Sequence, residues 1–219
     1  MKKEIDLLKN YPKTKRDTSL RAQKKSETDI KIARQFGKDF FDGGRQHGYG
    51  GFNYNEKFWK KVVEDFKDHW KVNLKDKILD VGCAKGFMVY DFKNLIPEIH
   101  IEGVDISNYA IENSKPEVKK FLKVADAKNL PYENDSFDYV ISINTIHNLN
   151  LDDCKKALKE IQRVSKKDSF ITVDAYNNTD EKNKMFEWNL TAKTILSVKE
   201  WKELFDETGY TGDYFWFIP

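Results

Sequence analysis

The sequence predicts an α/β chain built on a doubly wound, mostly parallel sheet. Three observations carry that reading. From residue 55 onward, apolar β-branched runs of strand length alternate with amphipathic stretches of helix length. The run Ile78-Leu79-Asp80-Val81 passes into a glycine turn, Gly82-Cys83-Ala84-Lys85-Gly86, and then into an apolar helical segment. Acids stand at the ends of successive strand-like runs, at Asp80, Asp105 and Asp126.

The elements follow in order. A helix is expected over 29–36, then a structured loop over 36–54 with six glycines among aromatics and Arg45. A helix over 55–72 places Trp59, Val62, Val63, Phe66 and Trp70 on one face, as core packing. Strands are expected at 77–81, 99–104, 119–124, 137–143, 169–175 and 213–218. The intervening helices are 86–95, one capped by Ser107 and running to about residue 114, and 152–165. An insertion, 176–196, follows the fifth strand on the edge where open α/β sheets bind ligands. Ser197 and Glu200 form a capping box that opens a last helix, which Gly209 closes. A seventh strand is expected to be absent or formed elsewhere.

The corner at 78–89 is Rossmann-like, a strand, a tight turn and a helix start. The dinucleotide fingerprint G-x-G-x-x-G is not met, because position 84 is alanine and a third glycine is missing. The pattern present is D-x-G-x-x-x-G. A carboxylate beside the turn would repel a pyrophosphate, whereas it suits a ligand carrying an ammonium. This pattern resembles motif I of the class I S-adenosylmethionine (SAM) methyltransferases, with Ala84 where the family usually has a second glycine.

That resemblance implies a cofactor site, and the later acids are in register with it. Asp80 helps hold the amino-acid end, and Gly82, Cys83, Ala84 and Gly86 line the turn. Asp105, about 20 residues past the turn, is placed to accept both ribose hydroxyls. Ile106 corresponds to the apolar residue under the adenine. Asp126, with Ala127 beside it, corresponds to the acid that accepts from the adenine amino group. Asn144 bounds the amino-acid part. The implied cofactor is SAM, leaving as S-adenosylhomocysteine (SAH). The resemblance also implies that the loop before the core lids the cofactor.

The acceptor side is expected past the fourth strand, at Asn144-Thr145-Ile146-His147-Asn148-Leu149. His147 is the histidine in the strand-end segments, and a histidine titrates near pH ~6.5, so it is the candidate base for a hydroxyl acceptor. The competing expectation is a histidine that caps a helix or bonds the backbone. Arg45, His47, Tyr49 and Tyr176 are the candidate substrate contacts. They make a polar pocket suited to a sugar, a phosphorylated compound or an amino acid.

Composition narrows the classes. The chain has 219 residues, 39% hydrophobic and 34% charged, with net charge +2. One domain over 1–219 is expected, with a 1–54 extension and lid and a 55–219 core. No apolar run nears the roughly 20 residues that cross a bilayer, and Met1-Lys2-Lys3-Glu4 lacks a signal-peptide core. The expectation is therefore a cytoplasmic protein without a membrane partner. The small net charge and only five arginines make nucleic acid an unlikely partner, despite a basic opening at Lys13, Lys15, Arg16, Arg21, Lys24 and Lys25. Two cysteines, Cys83 and Cys154, form no metal or disulfide pattern, and no metal site is expected.

Within the family, the amino-directed DNA enzymes' double proline is absent after Asn144. The cytosine-carbon enzymes' Pro-Cys pair is absent throughout. Catechol-type metal partners for Asp174 are not apparent. The stretches Phe36-Gly37, Gly48-Tyr49-Gly50-Gly51, Trp188-Asn189-Leu190-Thr191-Ala192 and Gly212-Asp213-Tyr214-Phe215-Trp216-Phe217 resemble bacterial small-molecule methyltransferases, often of surface-polysaccharide or specialised pathways. The expected activity is methyl transfer to a hydroxyl or amine of a small polar metabolite. The alternatives are an RNA methyltransferase and an inactive binding partner with the same fold. The oligomeric state is left open.

Overall fold

The structure, a computed structural model, describes residues 3–12 and 25–218. The basic residues Lys13, Lys15, Arg16, Arg21 and Lys24 lie outside the described residues, as do Met1 and Lys2.

The sheet is parallel throughout. Its strands are β1 (Lys77–Val81), β2 (His100–Asp105), β3 (Leu122–Val124), β4 (Phe137–Ile143), β5 (Ser165–Tyr176), β6 (Leu196–Ser197) and β7 (Asp213–Phe217). Their order is β3-β2-β1-β4-β5, with β7 along β5 and the two-residue β6 at the end of β5. β1 is central and covered on both faces, so it reads as a continuous apolar run, and Ile78, Leu79 and Val81 are fully buried. Strand order reverses between β1 and β4, which opens a crevice at their carboxyl ends.

Side-chain alternation sorts the core into two layers. Ile78, Ile141 and Phe170 face one side. There they pack with Val62, Val63 and Phe66 of α3 (Glu56–Trp70) and Val89 and Phe92 of α4 (Phe87–Leu95). Leu79, Val140, Ile171 and Val173 face the other side, against Leu158 and Ile161 of α6 (Leu151–Val164) and Trp201 and Phe205 of α8 (Val198–Thr208). The expected capping box holds: Ser197 Oγ accepts from Glu200 N, and Gly209 closes α8 in the left-handed region.

Several elements differ from the sequence expectation. The 36–54 stretch contains a one-turn helix, α2 (Lys38–Phe41), after α1 (Glu27–Ala33). Residues 119–121 form a 3-10 turn, so β3 keeps only three residues. The helix after Ser107, α5, is shorter than expected, Asn108–Glu112. β5 starts earlier, at Ser165, where Ser165 Oγ donates to Asp168 O across its first turn. The insertion carries a helix, α7 (Thr179–Trp188), capped by Asn178. The open edge of β7 is met by the chain's own beginning: Tyr214 N donates to Lys3 O and Ile5 N donates to Tyr214 O, in parallel register. The sheet thus has seven strands among the described residues, the short β6 included, and Glu4 adds an isolated bridge to Tyr214 at the β7 edge.

Candidate active site

The carboxyl ends of the strands open into a cavity of about 1150 Å³. That is at or above the roughly 300–1,000 Å³ usual for one ligand, enough for a nucleoside-sized cofactor and an acceptor together. Asp80, Gly82, Cys83, Ala84, Asp105, Ile106, Asp126, Ala127 and Asn144 all line it.

The turn after β1 is tight because its backbone is pinned. Gly82 N and Cys83 N both donate to Val104 O, at 2.7 and 3.0 Å. Gly82 has φ +87°, and a Cβ there would collide with the Thr145 hydroxyl, so only glycine serves. Ala84 sits at φ +49°, in the left-handed region that ordinarily favours glycine. Its N–H donates to Asp105 Oδ2 at 2.8 Å. Gly86 does not line the cavity; it starts α4 at φ +73°, packed against Leu122.

Asp80 is the anomaly that marks the site. It is 4% exposed, and among the described residues only burial and the Asp105 charge act on its carboxyl, with no hydrogen-bond donor. Burial, with the nearby Asp105 carboxylate second, pushes its pKa up to about 8. A buried carboxylate without a donor at a cavity wall is a receptor for a cation. Asp105 differs. Its Oδ1 accepts from Ser107 N at 2.8 Å and its Oδ2 from Ala84 N. Burial raises it, and the backbone donors offset part of that rise. Its carboxylate is thereby held in one orientation with lone pairs left for hydroxyls. Ile106 is 55% exposed at the cavity, an apolar ledge. Asp126 accepts from Lys128 N at 3.1 Å, with Lys128 Nζ 3.5 Å away. Asn144, at φ +51°, accepts from the Thr172 hydroxyl through its side-chain oxygen at 3.0 Å. The cation receptor, oriented acid and apolar ledge fit the ammonium, ribose and adenine of SAM.

On the acceptor side, His147 lines the cavity but is 3% exposed. Its Nδ1 accepts from Asp174 N at 2.9 Å. Its Nε2 lies 3.6 Å from Asp174 Oδ2. Burial drives its pKa down to about 3, so this contact joins a neutral imidazole to a carboxylate and is not an ion pair. With Nδ1 taken by a backbone N–H, Nε2 carries the proton. The geometry therefore opposes the base role expected for His147, whose lone pair is spent on the β5 backbone. The same segment is held from outside by Lys193 N and Thr194 N, which both donate to His147 O at 3.0 Å. Asn189 Nδ2 donates to Asp174 Oδ2.

The expected substrate contacts divide. Arg45 and Tyr49 line the cavity, with Arg45 donating to Tyr49 O at 2.6 Å. His47 and Tyr176 do not line it. His47 turns to Asp29, 3.1 Å away, and the Tyr176 hydroxyl points to Glu200. Trp59, expected only as core, joins the lining with Phe40, Phe52 and Trp188, so the cavity is more aromatic than the sequence reading held. Asp42, Lys85 and Tyr109 were missed as a group. Lys85 sits inside the glycine turn and is 6% exposed; a lysine in a buried turn needs a carboxylate partner, and that was the available signal.

Fold and site together define a class I SAM-dependent methyltransferase. A family model described as "Methyltransferase domain" matches residues 73–209, and the chain belongs to that family. Among curated relatives, the name tRNA (carboxymethyluridine(34)-5-O)-methyltransferase is carried by an Arabidopsis thaliana protein that is 35% identical over 128 residues, 57% of this chain and 30% of that one. An O-methyltransferase of Pyrenophora dematioidea is 28% identical over 145 residues, 61% of this chain and 53% of that one. The chain thus spans well under two thirds of these relatives' lengths. In fold it is similar to a Haemonchus contortus phosphoethanolamine N-methyltransferase solved with SAH and phosphomonomethylethanolamine, with TM-score 0.59 and 19% identity over 81% of this chain and 44% of that one. Among the described residues, no helix is long and apolar enough to cross a membrane.

Proposed function

We propose that this chain transfers a methyl group from SAM to a hydroxyl or amine of a small metabolite. The observation that carries the proposal is the pair at the first two strand ends: a buried, donorless Asp80 beside an oriented Asp105, both on one large cavity. Asp80 would hold the ammonium, Asp105 the ribose hydroxyls, Ile106 and Ala127 the adenine face, and Asp126 the adenine amino group. Asn144 would bound the amino-acid part. When bound, SAM supplies an electrophilic methyl on its sulfonium. The chain's own contribution is alignment and the exclusion of water.

His147 acts in this proposal by position. It ties the end of β5 to the segment after β4, and so fixes the floor of the acceptor side. Arg45, Tyr49, Trp59 and Trp188 supply part of the acceptor wall, which combines aromatic rings with a guanidinium.

A second reading, an RNA methyltransferase, draws on the tRNA-modifying relative. The test is SAH formation by the full chain against a metabolite library and, separately, unmodified tRNA. Turnover on a small compound supports the proposal. Turnover on tRNA alone, with binding that falls steeply with salt, replaces it with the RNA reading.

A further inference from the structure

The stretch from Phe36 to Phe52 lines the cavity over both cofactor corners, and its polar fastening converges on one carboxylate. Asp42 Oδ1 accepts from Lys85 Nζ at 2.9 Å and from Phe52 N at 3.0 Å. Asp42 Oδ2 accepts from Lys85 Nζ at 2.6 Å and from the Tyr109 hydroxyl at 2.7 Å. Lys85 lies in the glycine turn, next to Ala84, whose N–H orients Asp105. Tyr109 lies in α5, two residues past Ser107. Ser107 N also donates to Asp105, and its hydroxyl donates to Phe36 O. The fastening points therefore come from the same two turns that shape the cofactor site.

The rings agree with this. Phe52 stacks on Phe87 at 4.9 Å, and Phe41 stacks on Tyr109 at 6.4 Å. Lys85's side chain is only 7% exposed. Separating it from Asp42 would strip a largely buried ammonium of its carboxylate partner, which is costly. Burial alone would raise the Asp42 carboxyl, but its Lys85, Phe52 and Tyr109 donors hold it below the ordinary range. The contact is thus an ionised, multiply bonded latch. It must break as a unit if the 36–52 segment is to lift.

We propose that Asp42 is a positioning residue which, through Lys85 and Tyr109, holds the 36–52 segment shut over the cofactor turn, so that breaking this latch limits SAM entry and SAH release. The proposal rests on the methyltransferase reading above. Lid opening of this kind sets the turnover of many enzymes.

The test is stopped-flow binding and release of SAH by the full chain, followed by tryptophan fluorescence, for wild type, Asp42→Asn and Tyr109→Phe, with a thermal melt of each. Tyr109→Phe removes one hydrogen bond, and Asp42→Asn removes the charge. SAH dissociation should speed up roughly 3–10-fold in the first and more than about tenfold in the second. Association should also quicken, which a merely structural loss would not produce. Trypsin cleavage within 36–52 should increase in the SAH-bound variants. Wild-type rates in both variants overturn the latch; if Asp42→Asn does not fold, Tyr109→Phe decides alone. Failure of SAH to bind the wild type overturns the methyltransferase reading itself, a separate result from unchanged variant rates.

Discussion

The backbone N–H of Ala84 donates to Asp105 Oδ2 across 2.8 Å, tying the turn after β1 to the acid that ends β2. Asp105 therefore serves two parts of the site at once: it orients the turn and offers its remaining lone pairs to the cavity. Asp105→Ala should weaken SAH binding by about 1.5–3 kcal/mol, the worth of hydrogen bonds to a charged acceptor. Equilibrium titration of the folded variant checks this. An unchanged affinity would mean that the ribose contact lies elsewhere.

Asp80 makes a pH prediction with a definite sign. Its folded pKa is about 8, against about 3.9 when unfolded. Between those values the folded chain holds a proton that the unfolded chain has lost. This group's contribution to the stability of the ligand-free protein is therefore present at low pH and lost as pH rises toward 8. Binding of an ammonium needs the carboxylate, so SAH affinity should rise with pH, by up to about tenfold per unit, and level off near 8. Titrations between about pH 6 and 8 measure the slope. A flat profile would sink the assignment of Asp80 to the ammonium.

His147 carries the opposite sign. Its folded pKa of about 3 lies below the unfolded value near 6.5, so its share of stability is present above pH ~6.5 and lost as pH falls toward 3. His147→Ala should cost about 1–3 kcal/mol in urea denaturation at neutral pH, because Asp174 N loses its acceptor. It should also flatten the acid limb of the stability profile, while SAH affinity stays close to wild type. A variant as stable as wild type would contradict the positioning role.

Ala84 occupies left-handed backbone at φ +49°, a conformation that costs an L-residue about 1–2 kcal/mol. Ala84→Gly relieves that cost and adds freedom to the unfolded chain. The expected net change is neutral to stabilising by up to about 1 kcal/mol, read by urea denaturation. A clear loss would show that the alanine methyl is itself a needed contact.

Much of this was readable from residues alone, for a physical reason. In a parallel sheet, the last residues of successive strands converge on one edge, so Asp80, Asp105 and Asp126 meet wherever the strands are found. The strands were found because buried ones must be apolar on both faces, as Ile78, Leu79 and Val81 are. The 36–54 stretch lacks any such period. Its glycines allow either orientation for each side chain, and nothing in the spacing told that Arg45 and Tyr49 turn to the cavity while His47 turns to Asp29. His147 was placed correctly along the chain, but its role depended on Asp174 N, a backbone group supplied from 27 residues away. The Asp42–Lys85 latch spans 43 residues and follows no local pattern.

The most direct test of the SAM site is calorimetric titration of the full chain with SAH, beside Asp80→Asn and Asp105→Ala. The expected result is one-to-one binding by the wild type, with proton release near neutral pH as Asp80 ionises, and markedly weaker binding by both variants. No detectable binding of SAH by the folded wild type would contradict the assignment.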